Sequence, residues 1–240
     1  MSDDSVSSAP SLDRMWDDLT RQGYALTHEH EIELPETFRD HFLQTYFIDS
    51  CIRSDPGDWP MDRKRARDVV RYWWPDEDLR LKEHDTISVT ERADIPGRHH
   101  SRVRLLEDAQ AEQVIRTFMK LVPPSRRRHT GTFSVNLFRT FTDVASKPHR
   151  TDEEFITLYV LDRQGEGAVT ELYRPDDVTS EGQPMGQPIL SHQLDPGEIL
   201  IFDDKRFMHS ATPLEALDSG IAMRDVLVCT LDYPSTYLSA

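Results

Sequence analysis

From Thr130 onward the chain is a succession of short strand-like runs: Thr132 to Phe141, Phe155 to Leu161, Ala168 to Tyr173, Ile199 to Phe202 and Val226 to Leu231. They are rich in β-branched and aromatic residues and are separated by breakers such as Gln164-Gly165-Glu166-Gly167 and Asp195-Pro196-Gly197. Strands this close together pair antiparallel, because parallel neighbours need a long crossover. This half of the chain is therefore expected to form a β core.

Upstream the apolar period is helical. Ser11 caps a helix to Arg21 carrying Met15, Trp16 and Leu19, with Gly23 placed to stop it, and a short strand, Tyr24 to Thr27, follows. Pro35 opens a second helix, where Phe38, Phe42, Leu43, Tyr46 and Phe47 form a core stripe ended by Asp49-Ser50. A third helix is expected from Met61 to Trp73, broken at Trp74-Pro75, and a fourth from Asp108 to Leu121, bounded by Pro123-Pro124. Between them, Thr86 to Thr90 alternates like a strand before a turn at Pro96-Gly97.

Helices followed by antiparallel strands make an α+β chain. The expected organisation is a disordered lead-in over residues 1–10 and one domain over 11–240, helical in 11–125 with a β core in 130–235.

Charge and composition narrow the partners. A net charge of −15 repels a phosphate backbone, so nucleic acid is not expected to bind. The clusters Arg63-Lys64-Arg65 and Arg126-Arg127-Arg128 are too short to reverse that field and are read as solvated faces or loop ends. No apolar run approaches the roughly 18 residues of a membrane span. The start lacks the basic and apolar stretches of a secretory signal, and Cys51 and Cys229 lie far apart without metal-knuckle spacing. A soluble, cytoplasmic protein acting on a small molecule is expected.

Three features of the β half carry chemistry: Pro148-His149-Arg150-Thr151-Asp152 before a strand, Asp203 to His209 after one, and Arg224 opening the last. Singly, each is weak, since a histidine beside a strand is usually an ordinary surface or core residue. In this order they match how two histidines and a carboxylate are distributed over a double-stranded β-helix, a set that holds iron(II) on one face and leaves other positions open. Arg224 has the planar, bidentate cation that the far carboxylate of 2-oxoglutarate would need, and Ala222, Val226 and Val228 make its face small and apolar.

Together with the strand Phe155 to Arg163, the segment Gly167 to Tyr173 and Arg224-Asp225-Val226-Leu227-Val228, these residues resemble bacterial 2-oxoglutarate/iron(II) dioxygenases of the isoleucine-hydroxylase type, which oxidise free amino acids. The resemblance covers roughly the C-terminal half. It implies a cupin-like jelly roll with N-terminal helices packed on it, Fe(II) held by His149 and His209, and 2-oxoglutarate held by Arg224. Asn136 and Arg139 are candidates for gripping a substrate carboxylate.

One departure stands out: the family's motif is His-x-Asp, and here Thr151 occupies the carboxylate position. Either the strand entry bulges by one residue and Asp152 completes the metal site, giving hydroxylation, or the position is open. An open position resembles halogenases of the wider superfamily and admits halogenation, desaturation or ring closure. Glu153 lies about 13 Å from His149 along a straight strand, too far to join it, while Glu171 could approach from a later strand. His28, His30, His99 and His100 are read as solvated. A metal-binding jelly roll without turnover is the remaining alternative.

Overall fold

The computed structural model describes residues 12–32, 34–35, 37–54, 63–84, 101–141, 146–217 and 220–232. The expected lead-in over 1–10, the strand Thr86 to Thr90, the turn at Pro96-Gly97 and the pair His99-His100 lie outside them.

The chain opens with α1 (Leu12–Arg21), β1 (Tyr24–His28), α2 (Phe38–Thr45), β2 (Arg53–Ser54), β3 (Arg63–Trp73), β4 (Arg80–Glu83), β5 (Ser101–Arg102) and α3 (Ala109–Leu121). It continues with β6 (Thr130–Phe141), β7 (Ser146–His149), β8 (Phe155–Gln164), β9 (Glu166–Gly167), β10 (Thr170–Tyr173) and β11 (Leu190–His192). The last elements are β12 (Glu198–Asp203), β13 (Met208–Ala211), β14 (Leu214–Glu215) and β15 (Met223–Leu231).

Among the described residues, the main sheet runs β1-β12-β8-β15-β6-β3-β2, with β4 and β5 added on β3, and a second sheet runs β11-β10-β13-β7. Nearly every pairing is antiparallel; β5 on β3 is parallel. The expected jelly roll with packed helices is the observed fold, in α+β form.

The two faces of the main sheet have different neighbours. One packs Ala66, Val70, Phe133, Leu137, Tyr159, Ile201 and Leu227 against Met15, Phe38, Phe42 and Phe118 of the helices. The other packs Ile156, Val160, Leu200, Phe202 and Val226 against Leu172 of the second sheet. This second, interior face is where strand alternation delivers side chains into the roll.

The helices at 12–21, 38–45 and 109–121 follow the apolar spacing, and Gly23 (φ 87°) ends the first as expected. Asp108 caps α3 and is itself held by His41 Nε2 at 2.5 Å and Tyr46 Oη at 2.9 Å.

The expected helix Met61 to Trp73 is corrected: Arg63–Trp73 is a strand paired with β6 along its whole length, from Arg63↔Thr140 to Trp73↔Thr130. Its sequence suits either period, and the ladder to β6 with burial of Ala66, Val70 and Tyr72 decides for the strand. The N-terminal part is thus not purely helical, since β3 belongs to the main sheet. It also moves Arg65 from an expected solvated face to 7% exposure, and it buries Arg67 to 4%. Arg126 and Arg127 are also engaged, Arg126 with Asp203 and Arg127 over the Trp16 and Trp74 rings. Among the described residues no helix is long and apolar enough to cross a membrane.

Candidate active site

His149 ends β7 and His209 lies on β13, where antiparallel pairing sets them opposite each other with ring centroids 4.3 Å apart. His209 also pairs with Leu172 and lies 5.3 Å from the Phe202 ring, both members of the interior cluster, so its imidazole points into the roll. His149 Nδ1 sits 2.8 Å from the Lys147 carbonyl, and His209 Nδ1 sits 3.3 Å from Asp204 Oδ1. The Lys147 carbonyl favours the proton on His149 Nδ1, and Asp204 Oδ1, facing His209 Nδ1 electrostatically but outside hydrogen-bond geometry, favours the same tautomer there, the one that leaves the Nε2 lone pairs to a metal. Although His149 keeps some solvent-exposed surface, the protein packed around its ring, and then its neighbour His209, lower its pKa. A neutral imidazole is what metal ligation needs.

Asp204, fully buried, ties the two histidine segments together. Its Oδ2 accepts from the Thr151 amide, the Thr151 hydroxyl and the Glu153 amide, each at 3.1 Å, while Oδ1 faces His209. Burial alone would raise this carboxyl, but the contacts with His209, Thr151 and Glu153 outweigh it and hold the pKa below its ordinary value. The adjacent acids Asp203-Asp204, directly after an apolar strand, were the only sequence sign of this role.

The carboxylates expected to complete the metal site are elsewhere. Asp152 is exposed, with a left-handed φ of 64°, and its carbonyl accepts from Lys205 Nζ at 2.6 Å. Glu171 bonds Tyr173 Oη and Ser210 Oγ, on the face opposite Leu172. Among the described residues no group of three His, Cys, Asp or Glu side chains gathers as a metal site, so the structure brings His149 and His209 together but not Asp152 with them. His28 and His30, with Nδ1 atoms 2.6 Å apart, cap the turn after β1.

The Thr151 hydroxyl lies 2.8 Å from Glu153 Oε2 and 3.1 Å from Asp204 Oδ2, so its one hydrogen is shared between the two carboxylates. Burial pushes Glu153 up to about 7 against the hydrogen bond from Thr151, with Asp204 adding repulsion and Arg67 opposing it. An acid whose folded pKa is raised gives stability that is fully present below its unfolded pKa, near 4.5, and lost as pH rises through about 7. Glu153→Gln is therefore expected to raise the melting temperature of the metal-free protein at pH 8, by up to roughly 3 kcal/mol of stability, and to change it little at pH 4.5. Equal shifts at both pH values would contradict the assignment.

Arg224 opens β15 between Thr140 and Arg163, on the same face as Val226 and Val228. It is 8% exposed, and its Nε and Nη2 find no hydrogen-bond partner among the described residues. Burial, and then the neighbouring Arg163, lower its pKa to about 10, so it stays charged at neutral pH. Unpaired buried charge is expensive, and a guanidinium kept in this state is suited to an anion that arrives with a ligand.

Of the two substrate-binding candidates, Asn136 lies on the interior face opposite Val228 and donates to the Val228 carbonyl at 3.1 Å. Arg139 is a correction: it faces the helices, paired with Asp225 through two bonds of 2.7 and 2.6 Å and lying over the Phe47 ring. Two further cations, Arg65 and Arg67, Cα partners of Phe138 and Asn136, join Arg224 on the interior face. Reading β3 as a helix hid them.

Comparisons with known proteins agree with this geometry. The model of the family described as 2OG-Fe dioxygenase matches residues 60–230. A bsmA homolog from Methylobium petroleophilum PM1 shares the fold with TM-score 0.70 at 19% identity, over 97% of this chain and 95% of that one. The protein named IDO from Bacillus thuringiensis superposes with TM-score 0.65 at 15% identity, over 93% and 96% of the two chains. TqaL, an Fe(II)/α-ketoglutarate-dependent dioxygenase, gives TM-score 0.70 at 12% identity, over 95% and 88%. No curated protein matches the chain. Since that family match takes in β3, both histidines and Arg224, the chain belongs to the 2OG-Fe dioxygenases and is an enzyme that works with Fe(II) and 2-oxoglutarate.

Proposed function

We propose that the enzyme oxidises a C–H bond of a free amino acid, with hydroxylation as the outcome. The observation that carries this reading is the buried pair Arg65 and Arg67 on the interior face, with Asn136 beside them. A small substrate with its own carboxylate needs such a cation inside the roll. Arg67 Nε bonds Ser134 Oγ at 3.2 Å and acts electrostatically on Glu153, which leads through Thr151 and Asp204 to His209. Arg67 and the histidine pair thus share one polar network.

In this reading His149 and His209 hold Fe(II) through Nε2, and Arg224 takes the far carboxylate of 2-oxoglutarate. The bound pair supplies the oxidising power, consuming dioxygen and releasing succinate and carbon dioxide. The chain's own part is positioning: Asp204 orients His209, and Ile156, Val160, Phe202 and Val226 keep the interior dry.

A second reading keeps the cofactors and changes the outcome to halogenation, desaturation or ring closure. It is favoured by Thr151, which stands at the carboxylate position with its hydroxyl turned to Asp204 and Glu153. With Asp152 in solvent the two histidines are the protein donors in both readings, and hydroxylation no longer draws on the Asp152 carboxylate expected from sequence, so Asp152→Ala is expected to leave iron affinity within about twofold, as for an exposed substitution. A loss well beyond tenfold in an anaerobic Fe(II) titration would restore Asp152 as a ligand.

The deciding experiment supplies Fe(II), 2-oxoglutarate, dioxygen and a panel of free amino acids, with and without chloride, and follows 2-oxoglutarate consumption and product mass. A product heavier by one oxygen supports hydroxylation; a chlorinated one supports the second reading. If no amino acid raises consumption above the substrate-free rate, the substrate assignment fails.

A further inference from the structure

Glu153 is a buried acid with no task in holding the metal or the cosubstrate. It is 4% exposed, and among the described residues no lysine, arginine or histidine forms an ion pair with it. Its Oε2 meets the Thr151 hydroxyl at 2.8 Å, Asp204 repels it, and Arg67 acts on it by charge without a bond.

The neighbours of Glu153 fix its place. The Glu154 amide donates to the Leu231 carbonyl at 3.3 Å, which sets this segment beside the end of β15. Thr230, on that end, faces the interior with Val228 and pairs with Ser134 of β6. Thr230 is as buried as Glu153, and its Oγ1 has no hydrogen-bond partner among the described residues, although the hydroxyl favours the charged form of Glu153. Ser134 Oγ in turn meets Arg67 Nε at 3.2 Å and Asn136 Nδ2 at 3.4 Å. Asn136 Nδ2 also donates to the Val228 carbonyl, which fixes the amide orientation and leaves Oδ1 as an acceptor. Arg224 lies about 20 Å away along β15, so this end of the roll is distinct from the one assigned to the far carboxylate of 2-oxoglutarate.

This end therefore holds a buried carboxylate, an amide oxygen and an unpaired hydroxyl close to a buried guanidinium. A carboxylate out of water without a counterion is costly, and burial accordingly pushes Glu153 up to about 7. A free α-amino acid carries the complementary charges side by side: a carboxylate suited to Arg67, and an ammonium with three hydrogens to donate.

We propose that Glu153 binds the α-ammonium of the substrate, with Asn136 Oδ1 and the Thr230 hydroxyl as further acceptors, and so selects free amino acids over N-acylated ones. The inference rests on the free amino-acid reading above, and the test separates the two. The proteinogenic L-amino acids and their N-acetyl derivatives are compared on the Fe(II)- and 2-oxoglutarate-loaded parent and on Glu153→Gln, which keeps the shape and removes the charge. Anaerobic calorimetric titration reads substrate binding apart from turnover.

For the amino acid that the parent turns over best, Glu153→Gln is expected to raise Kd and KM between about tenfold and a hundredfold, as for loss of a hydrogen bond to a charged group. The effect falls on KM rather than kcat, the preference over the N-acetyl derivative shrinks by the same factor, and Fe(II) affinity stays like that of the parent. If Glu153→Gln binds the amino acid like the parent, the role of Glu153 is overturned and the free amino-acid reading stands. If the variant weakens Fe(II) as much as the amino acid, the residue acts through Asp204 and His209, and the proposal is likewise overturned. If the parent neither binds nor turns over any free amino acid, that reading falls and this assignment with it.

Discussion

Arg224→Met is expected to weaken 2-oxoglutarate binding about a hundredfold while making the metal-free protein more stable. The two effects have one cause. A bidentate guanidinium–carboxylate pair out of water contributes on the order of 3 kcal/mol when its partner arrives, and methionine offers nothing in return. Before the partner arrives, the same guanidinium is buried with Nε and Nη2 unpaired. Its pKa, lowered from 12.5 to about 10, means that folding disfavours the charged form at neutral pH by roughly 3 kcal/mol, a penalty that fades only as pH rises through 10 towards 12.5. An apolar side chain of similar length removes that penalty, and replacements of this kind stabilise proteins by about 1–4 kcal/mol. Denaturation of the metal-free variant and calorimetric titration with 2-oxoglutarate measure the two effects separately. Unchanged cosubstrate affinity would refute the role, and a destabilised metal-free variant would show that the guanidinium has a structural partner.

Asp204→Asn is expected to lower Fe(II) affinity between about tenfold and a hundredfold with little change in fold, the range seen when a carboxylate behind a metal-binding histidine is altered. The asparagine oxygen can occupy the Oδ2 position, where the Thr151 and Glu153 amides and the Thr151 hydroxyl all donate. That leaves the amide nitrogen facing His209 Nδ1, where Oδ1 now stands. A donor at that point requires Nδ1 to accept, which moves the imidazole proton to Nε2 and removes the lone pair a metal would use. The side chain thus acts through a tautomer, as the buried aspartate of a catalytic triad does. Anaerobic Fe(II) titration reads the affinity, and the imidazole proton positions can be followed by NMR in the metal-free protein. Parent-like affinity would remove Asp204 from the metal site.

The jelly roll was legible in sequence because its causes are local. The runs ending in β6, β8, β12 and β15 have strand composition, and glycine and proline signals separate them, so their existence and antiparallel pairing follow without tertiary knowledge. The residue types at His149, His209 and Arg224 stood out for a related reason: metal and dicarboxylate chemistry would demand such side chains, and the pairing of β7 with β13 sets the two histidines opposite each other.

Other features depend on partners far away in the chain. Arg139 looks like a free cation until the β6–β15 register sets it opposite Asp225. Residues 63–73 suit a helix as well as a strand, and only the ladder to β6 turns Arg65 and Arg67 inward. Asp152 and Asp204 are both acids beside a histidine segment, yet the positive φ at Asp152 leaves that side chain in solvent while three donors hold Asp204 inside. The sequence by itself determined the strand pattern and the residue types that the chemistry requires, because propensity and ligand chemistry belong to individual residues. The tertiary structure alone decided which charges are paired and which are left waiting for a ligand, because pairing is set by the register of strands that meet only in the fold.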